Sequence, residues 1–201
     1  TYGEFFDTRI NGEVIGITHA SVIDNKHIKK KHDIVNFAYL GPCEDSRKGF
    51  FALKEVMDRL YIKYNDNFKL HVYSPVVQDE PYLIQHAPYK YTDLESIMAG
   101  IDLVITPSIW HETFGFTVLE ALSYGVPVIV SENVGAKDLI VQEKNGLIVG
   151  MEINELNDAV EKILRNPELI IEMNKYIVEK QEIKTMKVHM NEVHTKLYCH
   201  S

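Results

Sequence analysis

From Asp33 onward the chain alternates two rhythms of apolar residues. Short unbroken apolar runs predict buried strands at DIVNFAYLG (33–41), FKLHVYS (68–74), IDLVITPS (101–108), VPVIVS (126–131) and GLIVG (146–150), with YLIQH (82–86) a shorter candidate. Between them the apolar positions recur at helical spacing. In KGFFALKEVMDRLYIKYN (48–65), Phe50, Leu53, Val56, Met57 and Leu60 share one helix face. TDLESIMAG (92–100) predicts a compact helix with Thr92 and Glu95 as a capping box and Gly100 as terminator. FTVLEALSY (116–124) stops at Gly125 with Pro127 just beyond, and GAKDLIVQ (135–142) predicts another short helix. Residues 154–200 predict two or three helices broken at Asn166-Pro167, carrying a core-facing apolar stripe. Strands that lack period-two alternation and are separated by helices imply a parallel sheet covered on both faces. The fold class expected is therefore α/β, a Rossmann-like sheet with a helical C-terminal tail.

Three segments follow from this reading: a lead-in or interdomain stretch over 1–33, a Rossmann-like unit over 34–150, and C-terminal helices over 151–201 that pack on that unit. The lead-in is the least patterned. INGEVIGITHASVI has room for one or two strands, and the basic run NKHIKKKHD reads as a solvated connection. The chain begins at Thr1 instead of Met, which fits a piece of a longer protein.

Charge narrows the partners. A net charge of -8 and a pI near 5.6 argue against a general polyanion binder, so no nucleic acid is expected. Cys43 and Cys199 lie far apart and without metal-ligand spacing, which favours a reducing cytoplasm over a disulfide framework or a zinc site. No apolar run approaches the ~20 residues that span a bilayer.

In a parallel sheet of this kind a ligand binds outside the carboxyl ends of the strands, where loops lead into helices. Two such loops carry complementary chemistry. CEDSRKG (43–49) offers Arg47 and Lys48, and HETFGF (111–116) offers Glu112 beside Gly115. A diphosphate suits the first, aided by the free N–H groups at a helix N-terminus. Ionised glutamates accept hydrogen bonds from paired hydroxyls, as on a ribose or a hexose. Glu112 and Glu120 are eight positions apart. On one continuous helix they would stand roughly 12 Å apart and about 80° round the axis, so they are not a close acid/base pair. Each instead suits a different part of one elongated ligand, a nucleotide sugar. The plainer alternatives are a solvated loop acid, an ordinary helix acid and an exposed lysine at a helix start. The last is disfavoured because a cation opposes the helix dipole there.

PSIWHETFGFTVLEALSYGVPVIVSENVGAKDLI (107–140) resembles the donor-binding segment of retaining, GT-B fold glycosyltransferases of group 1, also called family 4. The likeness rests on Pro-Ser after a strand, the two glutamates, Phe-Gly, Glu-Ala-Leu and Gly-Val-Pro-Val; it is strongest over 101–149 and extends back to Asp33, where Gly41-Pro42 and Lys48-Gly49 stand for the family's Gly-Arg and Lys-Gly. The resemblance implies that Glu112 contacts the transferred sugar near the reacting carbon, that Lys48 holds the diphosphate as leaving group, and that Glu120 takes the ribose hydroxyls. It implies further donor contacts from Gly41, Phe114, Gly115, Phe116 and Thr117, with Arg47 serving as second phosphate cation because Pro42 replaces the usual Arg. The base would be read near Ala87 to Tyr89.

The resemblance also implies no bound metal or other cofactor, as is usual for the fold, so the implied small-molecule partner is the nucleoside-diphosphate sugar itself. The acceptor-binding N-terminal domain of a GT-B enzyme has no counterpart in 201 residues, so the isolated chain is expected to bind donor and transfer nothing. The full-length enzyme would be cytoplasmic, with peripheral association at the inner face of a membrane among its implied partners. Competing readings are a stand-alone Rossmann-type nucleotide-binding module and a GT-B related nucleotide-sugar epimerase or phosphorylase.

Overall fold

A computed structural model of the chain describes residues 15–75 and 79–198. Six strands form one parallel sheet: β1 (Val35–Tyr39), β2 (Phe68–Val72), β3 (Leu83–Gln85), β4 (Leu103–Thr106), β5 (Val128–Ser131) and β6 (Gly146–Val149), in the order β3-β2-β1-β4-β5-β6. This is the Rossmann-like sheet expected from the sequence. The chain reverses direction across the sheet between β1 and β4, and that switch point opens a crevice at the strand tips.

Successive strand residues face opposite sides, so each strand feeds two cores. Phe37, Tyr39, Leu70, Ile105 and Ile129 face one side, covered by α1 (Phe50–Tyr64), α4 (Ile153–Arg165) and part of α5 (Glu168–Lys180). Ala38, Val104, Val128 and Val130 face the other, covered by α2 (Leu94–Gly100) and α3 (Phe116–Ser123). The buried side of α4 is Leu156, Ala159, Val160, Ile163 and Leu164, the spacing of a single helical stripe. A sixth helix, α6 (Met186–Val193), starts where the Thr185 hydroxyl accepts from the Val188 N–H. No helix among the described residues is long and apolar enough to cross a membrane.

Several local expectations are corrected. Residues 135–142 form only a 3-10 turn, Gly135–Leu139. The start of α2 is organised by Asp93, whose carboxylate accepts the Lys90 N–H at 2.9 Å, in place of the Thr92 and Glu95 pair. The cap lies two residues earlier because a 3-10 turn, Tyr91–Asp93, precedes the helix. Of the strand candidates in the lead-in, 10–14 lie outside the described residues and 15–23 are irregular.

The basic run is more than a solvated connection. Lys29 Nζ donates to the Met98 carbonyl at 2.7 Å, and burial lowers its pKa. Fully buried Asn174 on α5 accepts the Lys29 N–H and donates to the carbonyls of His27 and Gly125. One amide side chain thus ties the lead-in to α5 and to the turn after α3.

Candidate functional site

The loops after β1 and β4 flank the switch point, and they are stitched together by backbone. The Arg47 carbonyl accepts from the Ile109 N–H at 2.9 Å, the Ser108 hydroxyl at 3.1 Å and the Trp110 N–H at 3.2 Å. Gly49 sits in the left-handed region, φ 78°, where an added Cβ would lie 1.9 Å from the Pro107 carbonyl oxygen. Only glycine permits that approach. From beneath, the buried Tyr39 hydroxyl lies 3.1 Å from the Pro42 carbonyl and 3.4 Å from that of Lys48, and burial pushes the phenol far up its titration range.

This scaffold brings the Lys48 ammonium to 3.1 Å from the Glu112 carboxylate, both side chains partly shielded. Glu112 is fixed by its own backbone, which bridges to Val134 through Glu112 N–H to Asn133 O at 2.8 Å and Gly135 N–H to Glu112 O at 3.0 Å. Beside it, α3 begins at Gly115, φ 92°, where a Cβ would strike Val134 at 2.4 Å. No side chain caps this helix, and the N–H groups of Phe116 and Thr117 meet no acceptor among the described residues. They present the positive end of the helix dipole to the crevice.

Two adjoining cavities result. One of about 400 Å³ holds Arg47, Lys48, Glu112, Phe114, Gly115 and Phe116 on its walls. The other, about 130 Å³, lies deeper between Gly41, Thr106, Lys48, Glu112 and Thr117. The arrangement can hold an anion at Lys48 and the helix start, with a carboxylate beside it for a hydroxylated group.

The family described as glycosyl transferases group 1 matches residues 24–182. The chain belongs to that family. It is 32% identical over 91 residues to the D-inositol 3-phosphate glycosyltransferase of Corynebacterium jeikeium, covering 45% of this chain and 22% of that relative. Among solved structures, the C-terminal domain of a glycosyl transferase group 1 family protein (LpcC) from Francisella tularensis superposes with a TM-score of 0.61 at 18% identity, covering 81% of this chain and 85% of that one. HepE from Anabaena, in complex with UDP, superposes with a TM-score of 0.65 at 15% identity, over 81% of this chain and 48% of that one. At those identities the superpositions establish the fold. The chain thus spans about a fifth of that curated relative and about half of the HepE chain.

In this group 1 chain the nine residues singled out from the sequence do not all share one cavity. Eight of them, Lys48, Arg47, Glu112, Gly41, Phe114, Gly115, Phe116 and Thr117, line the two cavities. Glu120 lines neither. It is buried on α3 toward the loop after β3, near enough to Tyr89 that its charge adds to burial in raising that phenol to about 12. Its carboxylate has no hydrogen-bond or ion-pair partner among the described residues. Tyr89 belongs to an aromatic wall with Tyr73 and His86, the latter two stacked at 4.4 Å.

Arg47 departs from a free phosphate cation: its guanidinium is held by Asp45 through bonds of 2.9 and 2.8 Å. That contact keeps the Asp45 carboxyl below its usual range. Trp110 is exposed on the rim of the larger cavity. Sequence reasoning missed Tyr39. It looks like an ordinary β-former in an apolar run, and the only signal was a hydroxyl at a position where the pattern calls for a purely apolar side chain.

Proposed function

We propose that this chain is the donor-binding half of a retaining group 1 glycosyltransferase, with a nucleoside-diphosphate sugar lying across the strand tips. The observation that carries this is the Lys48 ammonium 3.1 Å from Glu112, at the mouth of a helix whose first N–H groups are open. The diphosphate takes Lys48 and the N–H groups of Phe116 and Thr117, and the sugar lies against Glu112. The ribose reaches Glu120, whose carboxylate otherwise lacks a partner, and the base approaches Tyr89. When the bond between the anomeric carbon and the diphosphate oxygen breaks, negative charge grows on the leaving group, and a fixed cation and dipole stabilise it. UDP in the HepE structure supports a nucleoside diphosphate as the ligand class. The acceptor binds an N-terminal domain of the full-length enzyme, in the cleft between the two.

Calorimetric titration with uridine, guanosine and adenosine diphosphates and their sugar conjugates tests this reading. Lys48→Ala and Glu120→Ala should each weaken binding by about 1.5–3 kcal/mol, the worth of hydrogen bonds to charged groups. Equal binding by wild type and both variants removes the proposed site.

A further inference from the structure

Tyr39 ends β1 with its ring in the core beneath α1, against Phe50 at a centroid distance of 5.3 Å. Packing alone would be served by phenylalanine, because a strand buried on both faces calls for apolar side chains. The hydroxyl is an addition that costs desolvation unless it finds an acceptor. It finds two, the carbonyls of Pro42 at 3.1 Å and Lys48 at 3.4 Å. One phenolic proton shared between two acceptors accounts for both distances exceeding the usual O–H···O value.

Those carbonyls stand near the two ends of the loop after β1. The phenol therefore closes that loop from below, so near the chain that a Cβ on Gly41 would come within 2.7 Å of its oxygen. From within the loop, the Lys48 N–H donates to the Asp45 carbonyl at 3.0 Å. Both backbone polar groups of Lys48 are thus held, one by the loop and one by the core. Its ammonium is a point charge on a flexible four-carbon stem, aimed only as well as the backbone beneath it is fixed. We infer that Tyr39 is a positioning residue for Lys48, acting through the Lys48 carbonyl to hold the ammonium where the donor diphosphate binds. The inference rests on the donor-site reading above and adds to it a contact that touches no ligand.

Tyr39→Phe removes the hydroxyl and keeps the ring that packs on Phe50, so the variant should melt only about 2–4 °C below wild type. Calorimetric titration uses the nucleoside diphosphate that wild type binds best among those of uridine, guanosine and adenosine. Tyr39→Phe should weaken its binding about threefold to tenfold. In a Lys48→Ala background the same substitution should change affinity less than about twofold, because nothing is left to position. Salt gives a second readout. An ammonium fixed on phosphate makes affinity fall with ionic strength, and Tyr39→Phe should flatten that fall toward the slope of Lys48→Ala. Unchanged affinity in Tyr39→Phe while Lys48→Ala binds weakly overturns this inference and leaves the donor site standing. An equal loss in both Lys48 backgrounds with the wild-type salt slope also overturns it, since the hydroxyl then serves the fold alone. Failure of wild type to bind any of the three overturns both readings.

Discussion

Replacing Gly49 with alanine puts the stitching of the two loops under direct load. A Cβ at this position would stand 1.9 Å from the Pro107 carbonyl oxygen, whereas real Cβ contacts do not fall below 3.0 Å, so the loops must part by about 1.1 Å. The bond from Ile109 N–H to Arg47 O, now 2.9 Å, would then open to about 4 Å, beyond hydrogen-bond range, and its two companions would stretch with it. Holding a non-glycine residue in the left-handed region costs about 1–2 kcal/mol, and each lost bond about 1 kcal/mol. The variant should therefore lose about 3–5 kcal/mol of stability, a fall in melting temperature on the order of 10 °C for a chain of this size. It should also bind nucleoside diphosphate more weakly, because Lys48 and Glu112 sit on the two loops being driven apart. Gly100→Ala is the control. That residue ends α2 with open space around it, and alanine there should be neutral or stabilising by up to about 1 kcal/mol. Melting curves and a calorimetric titration of both variants decide the matter. A Gly49→Ala protein that melts within about 2 °C of wild type and binds equally well would refute the claim that this backbone contact builds the site.

Two further outcomes follow from contacts outside the crevice. Asn174→Ala should cost about 2–3 kcal/mol in chemical denaturation, since it removes three hydrogen bonds to backbone groups, the one to Gly125 buried and those to His27 and Lys29 partly so, and should speed amide exchange at Lys29; a loss below about 1 kcal/mol would mean that the lead-in holds itself. Glu161 is drawn down to about 2 from its ordinary 4.5 by Lys63 first, against burial, and then by Tyr64 and Arg165. A depressed carboxyl stabilises the fold above its unfolded pKa and loses that effect as acid protonates it in the folded state. The stability gap between wild type and Glu161→Gln in urea should therefore be widest above pH 4.5 and close as the pH falls toward 2, whereas a gap independent of pH would contradict the pairing.

Much of this was legible in the sequence, for identifiable reasons. Continuous apolar runs such as LVIT marked the strands because a parallel sheet buries both faces, and the stripe from Leu156 to Leu164 marked α4 because one helix face meets that sheet. The convergence of Lys48 on Glu112 followed from a topological rule, since both sit between a strand and the next helix on either side of the switch point. What stayed hidden depends on contacts distant in sequence. Asn174 occupies the same buried stripe as Ile170, Met173 and Ile177, so a polar residue at an apolar position was visible, but its partners at His27 and Lys29 were not. The bidentate hold of Asp45 on Arg47 and the exposure of Trp110 depend on loop conformation, which hydrophobic periodicity does not encode.

The claim at the centre of this account is that one elongated phosphate ester spans the strand tips, gripped at its middle by Lys48 and the start of α3. A crystal structure of the chain soaked with the tightest-binding nucleoside diphosphate measures this most directly. The account predicts phosphate oxygens within hydrogen-bond distance of Lys48 Nζ and the Thr117 N–H, with the ribose hydroxyls on the Glu120 carboxylate. Nucleotide seated elsewhere on the molecule, or phosphates that touch neither group, would contradict it.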